Sequence, residues 1–422
     1  MSEMSQKKVH LNRLFWILVF LVMVIVCPFA YHFFMVMTDG YGIFHSATDV
    51  ADLDGDGDLD VLLHNVRQES EFTAFSGGTL WFNQGDGQFI ARQLETDLGE
   101  TGGWASAAGD LDQDGDTDLA VFMGSQLRLI VNQGGDQGGQ VGEFRNSSTI
   151  MGPEGNGQYG SVLLGDLDND DQLDGVVLGC CGRLFTMNSD DDSPNVSGVW
   201  INRWDDGGRP GHMFLLSSLE GLAVRGAALG DLDNDGDLDL FAAVIAPGEG
   251  RNRNPADRVI LNDDTGNFTD SGQRLGETDS TAVALGDLDG DGDLDALVSA
   301  EKGALVWINQ GGAQGGKEGA FALFEQTISG DRIRSVSLAD LDEDGDPDAL
   351  IGGRRLATIW WNDGQAVFTR DHQPFGYTKR HGLAIGDFNG DGRLDIFAAA
   401  YDDDYRVWFN QGDGTFQNTG WP

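Results

Sequence analysis

The sequence predicts an all-β fold, a seven-bladed β-propeller, from three repeated features. An aspartate-rich nonapeptide, Asp-x-Asp-x-Asp-Gly-x-x-Asp or close to it, occurs seven times at intervals of 47–65 residues. An Asn with Trp or Ile two residues before it follows each nonapeptide, and a Gly or Ala stands directly before each nonapeptide. Repeats of this length, each with room for four short strands, are typical of propeller blades. A β-solenoid is the alternative, but its repeats are usually shorter.

Each repeat is expected to form four strands. The segment before a nonapeptide is short and apolar, as in Ala282–Gly286, and the segment after it is rich in β-forming residues, as in Leu238–Val244. Runs such as Asn83–Gly87 favour hairpin turns, because Asn and Gly accept positive φ. Beyond the N-terminal segment no part of the chain shows a convincing 3.6-residue apolar period, which argues against helices.

Two repeated positions predict how the blades pack. If the strand before each nonapeptide is innermost, only small side chains fit near the axis. The small positions are Ala51, Gly109, Gly165, Gly230, Gly286, Ala339 and Gly386. The large apolar positions, two residues before each Asn, are expected to pack blade against blade. They are Trp81, Ile130, Trp200, Ile260, Trp307, Trp360 and Trp408. The corresponding Asn residues are Asn83, Asn132, Asn202, Asn262, Asn309, Asn362 and Asn410.

The charge of the chain is concentrated in the nonapeptides. They hold 34 of the 69 acidic residues and one base, so they account for −33 of the net charge of −43. Several carboxylates in one small loop are costly unless a cation lies among them. A strongly acidic surface also repels nucleic acid, so DNA and RNA are excluded as partners. The composition therefore predicts a bound metal.

Oxygen ligands at alternating positions of a tight loop suit Ca²⁺, which takes 6–8 hard oxygens. In the first loop the four side chains of Asp52, Asp54, Asp56 and Asp60 can converge, the carbonyl of Asp58 can add a further ligand, and Gly57 permits the sharp turn. An EF-hand is excluded, because it needs Glu at loop position 12 and flanking helices. Here position 12 is Leu63 and the flanks are predicted strands.

The sequence thus predicts up to seven structural Ca²⁺ ions. The candidate metal positions are Asp52, Asp54, Asp56, Asp58 and Asp60; Asp110, Asp112, Asp114, Asp116 and Asp118; Asp166, Asp168, Asp170 and Asp174; Asp231, Asp233, Asp235, Asp237 and Asp239; Asp287, Asp289, Asp291, Asp293 and Asp295; Asp340, Asp342, Asp344, Asp346 and Asp348; and Asp387, Asn389, Asp391, Arg393 and Asp395. Asp171 replaces the turn glycine of the third loop, so weaker binding is expected there. Asn389 and the positive charge of Arg393 predict that the seventh site is the weakest.

The seven nonapeptides, together with turns such as Trp81–Phe89, resemble the FG-GAP/VCBS repeats of integrin α-subunit head domains and of many bacterial surface proteins. The resemblance covers about residues 40–422. It implies a seven-bladed propeller with Ca²⁺ in the loop between the first two strands of a blade. In the integrin relatives these loops lie on the face away from the ligand.

The N-terminus predicts a membrane anchor. Lys7, Lys8 and Arg13 precede an uncharged run, residues 14–37, whose 24 residues would span about 36 Å as a helix. The positive-inside rule leaves residues 1–13 in the cytoplasm and places the propeller, residues 40–422, outside it, at the cell surface, in the periplasm or in a lumen. A cleaved signal peptide, with Leu14–Val26 as its apolar region, is the alternative and would give a secreted protein.

Insertions mark a candidate recognition face. From the first Asp to the Asn marker, blades one, three and four carry about 9, 14 and 9 residues more than the 22–23 of the others. The extra residues fall between the second and third strands, at Val66–Gly78, Cys180–Gly198 and Ala246–Arg258. This connection lies on the face opposite the Asp loops in a propeller. Insertions in repeat proteins usually map to one binding face, so this face is the predicted site for a protein or glycan partner.

The sequence favours a binding or adhesion module over an enzyme. It contains no nucleophile elbow, no HExxH motif and no phosphate-cradling Gly loop. The alternative is a propeller-fold hydrolase or polysaccharide lyase with a site at the central channel. His45 and His381 precede the Asp loops of the first and last blades and become neighbours on closure. Paired acid–base work would require them to lie within about 10 Å of each other.

Overall fold

The structure is a computed structural model. It describes residues 48–69, 73–94, 103–123, 126–134, 138–151, 160–179, 197–202, 213–219, 224–244, 255–277, 279–300, 303–330, 333–353, 356–373, 375–377, 383–399 and 405–418. Among these residues no helix is long and apolar enough to cross a membrane. The predicted anchor, residues 14–37, lies outside them.

Seven antiparallel sheets form the blades of the propeller, as predicted, and consecutive strands pair within each sheet. The first four blades contain β1 (Thr48–Ala51), β2 (Asp60–Glu69), β3 (Thr73–Asn83) and β4 (Phe89–Gln93); β5 (Gly103–Gly109), β6 (Asp118–Met123), β7 (Gln126–Asn132) and β8 (Phe144–Met151); β9 (Gly160–Gly165), β10 (Asp174–Gly179), β11 (Gly198–Asn202) and β12 (Met213–Ser218); and β13 (Val224–Gly230), β14 (Asp239–Val244), β15 (Arg258–Leu261) and β16 (Thr269–Asp270).

The last three blades contain β17 (Val283–Gly286), β18 (Asp295–Ala300), β19 (Gly303–Asn309) and β20 (Phe321–Ser329); β21 (Ser335–Ala339), β22 (Asp348–Gly352), β23 (Leu356–Asn362), β24 (Phe368–Arg370) and β25 (Phe375–Tyr377); and β26 (Leu383–Gly386), β27 (Asp395–Ala399), β28 (Tyr405–Asn410) and β29 (Phe416–Asn418). The sixth blade has five strands rather than the expected four, because β24 and β25 both pair with β23. The first strands of successive blades contact one another from the first blade to the sixth, and β1 also contacts β26 of the seventh. These strands are therefore innermost.

Small residues at the ends of the inner strands make room for the next blade. A Cβ atom on Gly109 would lie 2.6 Å from Cδ1 of Leu173, and one on Gly165 would lie 2.7 Å from Cδ1 of Leu238. Both leucines stand next to the last Asp of the following blade's loop. The prediction of small residues near the axis is confirmed, and the crowding comes from these leucines.

Among the described residues the core consists of seven apolar clusters, one at each boundary between blades. Each cluster contains the predicted Trp or Ile of one blade with apolar residues of the preceding blade. Trp200 of the third blade, for example, packs with Leu111 and Leu129 of the second. All seven Trp and Ile side chains are at most 8% exposed. Their predicted role in packing blade against blade is confirmed.

A ring of asparagine side chains ties the blades together. The Asn at the end of the third strand donates a hydrogen bond from Nδ2 to a carbonyl in the Asp loop of the preceding blade. Asn309 reaches the carbonyl of Leu232 at 2.8 Å, and Asn83 closes the ring on Phe388 at 2.9 Å. Equivalent bonds are made by Asn132, Asn202, Asn262, Asn362 and Asn410. Sequence analysis used these residues only as markers of the repeat.

Replacing Asn309 with Ala should lower the free energy of unfolding by about 1–3 kcal/mol, because the buried carbonyl of Leu232 loses its donor. The Asn309 Oδ1 acceptor of the Gly319 N–H, at 3.1 Å, is lost as well. Urea unfolding measures the effect. The matched control is Asn267→Ala, since Asn267 is an exposed asparagine in a turn. Equal stability of the two variants would contradict a role for the asparagine ring.

In the part of the chain that the structure describes, the first and seventh blades meet through side chains, and their strands belong to separate sheets. The C-terminal strand β29 pairs with β28 of its own blade, and β1 begins the first blade. The sequence leaves open whether Phe416–Pro422 supplies a last outer strand or pairs with the segment near Tyr41–Ala47, and the described part, Phe416–Asn418, forms the outer strand. Trp81 and Phe89 of the first blade pack edge-on against Phe397 and Tyr405 of the seventh, with ring centroids 4.9–6.3 Å apart.

The first insertion is an extension of a hairpin. The register of β2 and β3 continues from Val66 opposite Ser76 to Glu69 opposite Thr73. Because the strands of a blade are antiparallel, this β2–β3 end lies opposite the end that carries the Asp loop. Most of the second insertion, Cys180–Gly198, and the greater part of the third, Ala246–Arg258, lie outside the described residues.

Candidate metal centre

Each Asp loop joins the first two strands of a blade and has the same backbone path. Counting from the first Asp, positions 4 and 6 have positive φ in all seven loops. Position 6 is the predicted glycine in six loops, as in Gly57 at φ 96°, and glycine accepts this conformation without strain. The positive φ at position 4 was not predicted from the sequence. Position 4 is occupied by Gly55, Gln113, Asn169, Asn234, Gly290, Glu343 and Gly390.

The carboxylate at position 1 holds the loop closed. In the second blade, Asp110 accepts the N–H of Asp114 on Oδ1 at 3.1 Å and the N–H of Gly115 on Oδ2 at 3.0 Å. The positive φ at positions 4 and 6 directs these N–H groups toward the centre of the loop. The same pair of bonds recurs at Asp231, Asp340 and Asp387. Position 1 is thereby oriented toward the centre of the loop.

The carboxylate at position 9 connects the loop to the third strand. Asp118 accepts the N–H of Leu111 at 3.0 Å and the N–H of Asn132 at 2.8 Å, and it is fully buried. The arrangement is repeated in every blade, at Asp60, Asp174, Asp239, Asp295, Asp348 and Asp395. Because the same Asn also reaches the preceding blade, position 9 is a link in the asparagine ring.

Position 3 provides carboxylate oxygens that are buried and accept no hydrogen bond. They are Oδ1 of Asp54, Asp233, Asp289 and Asp342. In the first four loops, one oxygen from each of positions 1, 3 and 9 lies within 4.8 Å of the other two, and in the fifth blade Asp287, Asp289 and Asp291 converge in this way. A buried anionic oxygen without a donor is costly unless a cation neutralises it. The residues present therefore fit a divalent cation.

Burial raises the pKa of these carboxyl groups. For position 9, desolvation raises the pKa to about 8 in Asp118 and to about 7 in Asp60, Asp174, Asp295 and Asp348, although two backbone N–H donors lower it. The pKa of Asp239 and of Asp395 rises to about 6 for the same reason. For Asp116, burial and then the neighbouring carboxylate of Asp114 raise the pKa to about 7. Without a cation these groups resist ionisation.

The sequence of the loops identifies the family. The model of the FG-GAP-like repeat matches residues 52–121, 110–177, 231–298, 287–351, 340–398 and 387–422, more than half of the chain. The chain belongs to the FG-GAP-like repeat family. Each match begins at the first Asp of a loop, and none begins at Asp166, where the third loop lacks the turn glycine.

Solved structures support the propeller fold of this FG-GAP repeat protein. A lectin of Agrocybe aegerita, described as recognising non-reducing terminal N-acetylglucosamine, is 17% identical with a TM-score of 0.50, over 88% of this chain and 92% of the lectin. The Pseudomonas aeruginosa periplasmic gluconolactonase PpgL is 13% identical with a TM-score of 0.50, over 79% and 85% of the two chains. At these identities the likeness concerns the fold. No curated protein matches the sequence.

The two irregular loops of the FG-GAP repeat protein keep the common backbone path. Asp171, which replaces the turn glycine of the third loop, has φ 66°. In the seventh loop, Nη1 of Arg393 lies 3.1 Å from Oδ2 of Asp391, and its Nε lies 3.4 Å from Oε1 of Glu343 in the sixth loop. A guanidinium group has no acceptor, so Arg393 offers no side-chain ligand to a metal.

The loops also contact one another around the ring. Asn234, at position 4 of the fourth loop, donates to Oδ1 of Asp293 in the fifth at 2.6 Å. Asn169 donates to Asp237 at 3.3 Å in the same way. Position 4 of one loop therefore meets position 7 of the next. Where position 4 is asparagine, its side chain thus reaches the neighbouring blade, and glycine occupies the position in the first, fifth and seventh loops.

The structure describes only some of the histidines that were considered for an enzyme site. His372 is exposed, and its backbone N–H donates to Oδ1 of Asp371 at 2.6 Å. His45 and His381 lie outside the described residues, and for His64 only the backbone is described. The proposed pairing of His45 with His381 stays a prediction.

Proposed function

We propose that the chain is a Ca²⁺-stabilised, extracytoplasmic propeller, held at the membrane by residues 14–37, that binds a glycan or protein on the face opposite its Asp loops. The observation that carries this proposal is the separation of two features on opposite ends of the blades. The Asp loops lie between the first two strands, whereas the elongated β2–β3 hairpin of the first blade extends from the other end.

Calcium suits the Asp loops because it takes many hard oxygen ligands in flexible geometry. Positions 1, 3 and 9 supply converging carboxylates on a backbone closed by its own N–H groups. Position 9 also belongs to the asparagine ring. A cation there acts on the contact between blades and stabilises the whole propeller by binding only the folded state.

A glycan is the first ligand to test. The lectin of Agrocybe aegerita, of similar fold, is described as recognising terminal N-acetylglucosamine. The full chain, purified in detergent with Ca²⁺, is applied to an array of glycans that includes this sugar. We expect retention on at least one glycan class, competed by the free sugar. Absence of binding to every glycan, and to a matching array of extracellular proteins, would contradict the binding function.

Shortening the hairpin tests which face binds. Val66 and Ser76 are paired, so replacing residues 67–75 with Asn-Gly leaves a two-residue turn of the kind that hairpins favour. The shortened protein should lose binding by about tenfold or more while its Ca²⁺ content and melting temperature stay unchanged. Arg370→Ala, on an exposed strand position, is the control for a surface change elsewhere. Full binding by the shortened protein would place the ligand on another surface.

A further inference from the structure

Side chains at position 4 bond the Asp loops of four consecutive blades to one another. Asn169 and Asn234 connect the third loop to the fourth and the fourth to the fifth. Gln113, at position 4 of the second loop, donates from Nε2 to the carbonyl of Asp171, at position 6 of the third, at 2.9 Å. The loops of the second, third, fourth and fifth blades are therefore joined in one series. We call these four the linked loops.

The carboxylates that accept the two asparagine bonds are buried. Asp237 is 7% exposed and Asp293 is 4% exposed. Asn169 also donates to Oδ1 of Asp264, in the turn that follows the third strand of the fourth blade. A hydrogen bond to a carboxylate is stronger than one between neutral groups, and burial strengthens it further. These bonds therefore hold position 7 of the next loop in a defined place.

Each asparagine bond also connects the candidate cation ligands of two loops. In the fourth loop, Asn234 directly follows Asp233, the carboxylate at position 3. In the fifth loop, the N–H of Asp293 donates to Oδ1 of Asp291 at 2.9 Å. The N–H of Asp291 in turn donates to Oδ1 of Asp287 at 3.1 Å. A continuous path of covalent and hydrogen bonds thus runs from the ligands of one loop to those of the next, as energetic coupling between sites requires.

Glycine at position 4 interrupts the series in three places. Gly55, Gly290 and Gly390 have no side chain that could donate to the next loop. Through position 4, the first loop is therefore bonded neither to the seventh nor to the second, and the fifth is not bonded to the sixth. Glu343 of the sixth loop forms an ion pair with Arg393 of the seventh, at 3.4 Å. The seven loops divide into four linked loops, one pair and one single loop.

We propose that Asn169 and Asn234 are positioning residues that couple cation binding among the linked loops, so that a divalent cation in one loop raises the affinity of the next. Carboxylates that converge in a loop repel one another until a cation neutralises them. A loop ordered by its cation fixes its position 4, and position 4 holds position 7 of the next loop, whose carbonyl is an expected ligand. The coupling is reciprocal. This inference rests on the proposed binding of cations to the Asp loops.

The test empties one loop and counts the ions that remain. Asp233→Asn removes a position 3 ligand from the fourth loop, and Asp54→Asn removes its counterpart from the single first loop. The two changes match, because Oδ1 of each Asp is buried and accepts no hydrogen bond. At half-saturating Ca²⁺, native mass spectrometry of the full chain should show a loss of about one ion for Asp233→Asn, since its neighbours lose affinity about fivefold, and of about half an ion for Asp54→Asn. At saturating Ca²⁺ each folded variant should lose one ion.

The double variant Asn169→Gly/Asn234→Gly removes the two bonds. Glycine occupies position 4 in three other loops and accepts positive φ, so the variant should fold. In this background Asp233→Asn should cost only about half an ion at half-saturating Ca²⁺. A loss of about one ion in both backgrounds, or equal losses for Asp233→Asn and Asp54→Asn in the wild type, would overturn the coupling and leave the cation sites intact. No bound ion in the wild type would overturn both proposals.

Gly290→Asn tests the coupling in the opposite direction. The nearest atom to a Cβ at this position is the carbonyl oxygen of Gly364, at 3.4 Å, and the introduced side chain would be placed to reach Asp346, at position 7 of the sixth loop. Asp342→Asn, which empties the sixth loop, should then cost more ions than it does with Gly290 in place, because the fifth loop now loses affinity about fivefold as well. A side chain that stabilised only its own loop would not extend the coupling. An unchanged loss would overturn the role of position 4.

Discussion

Chelation of divalent cations is expected to lower the melting temperature of this propeller by on the order of 10 °C or more. A site filled at about 1,000 times its Kd adds roughly 4 kcal/mol to the free energy of unfolding, and several sites act together. The effect should be cooperative, because position 9 of every loop is bonded to the Asn that reaches the preceding blade. Differential scanning calorimetry with and without EDTA measures it. An unchanged melt would refute structural Ca²⁺.

The effect of chelation should depend on pH. In the metal-free protein the pKa of Asp118 is raised to about 8 and that of Asp60 to about 7, whereas an ordinary Asp has a pKa of 3.8. The folded state therefore holds these protons more tightly than the unfolded chain. The stability that these carboxyl groups contribute is fully present below about pH 4 and is lost as the pH rises through about 6–8.

Melts of chelated protein at a series of pH values check this sign. The melting temperature of the chelated protein should fall from about pH 5 to about pH 8, while protein with excess Ca²⁺ stays stable because the cation replaces the protons. Measurement with EDTA plus excess Ca²⁺ controls for effects of the chelator itself. A rise in the melting temperature of the chelated protein over this range would contradict the buried, protonated carboxyl groups.

Replacing Phe397 with Ala should lower the free energy of unfolding by about 3–5 kcal/mol. Phe397 is fully buried, and its ring lies 5.0 Å from that of Phe89 and 5.6 Å from that of Tyr405. Among the described residues the seventh and first blades share no strand, and this aromatic cluster packs across the closing boundary. Urea unfolding and limited proteolysis of the first and last blades measure the loss.

The control for this prediction is Ile90→Ala. Ile90 is adjacent to Phe89 in the first blade but is 58% exposed, so its loss should cost less than about 0.5 kcal/mol. If Phe397→Ala were as stable as Ile90→Ala, the aromatic cluster would not be what closes the ring. Proteolysis confined to the first and seventh blades would support opening of the propeller at this boundary.

Much of the fold could be predicted because it is repeated and local. The strands on either side of a loop, the turn glycine Gly57 and the small residue Gly109 recur at fixed positions, and local chemistry limits each of them. The buried Trp and Ile were predicted for the same reason. The fifth strand of the sixth blade was not, because Phe375–Tyr377 is a strand only through its pairing with β23, and the fourth blade has no more than an isolated bridge, Leu275 with Asp257, at the equivalent place.

The candidate metal site, like the fold, could be predicted from the sequence only in part. The sequence identified the Asp positions, since alternating carboxylates around a glycine can converge within a single loop. It did not reveal that Asn83 reaches the carbonyl of Phe388, because those residues are 305 positions apart in the chain. It also placed Asp58 and Asp116 in the same category, although Asp116 is buried and Asp58 is only partly buried.

The sequence by itself determined the seven loops, the all-β repeats and the positions where blades must be small or large, because these follow from the chemistry of neighbouring residues. Only the tertiary structure decided which blade each Asn contacts, how the ends of the chain close the ring, and which carboxylates at position 7 are buried. Burial and cross-blade hydrogen bonds depend on residues far apart in the chain, which no local pattern contains.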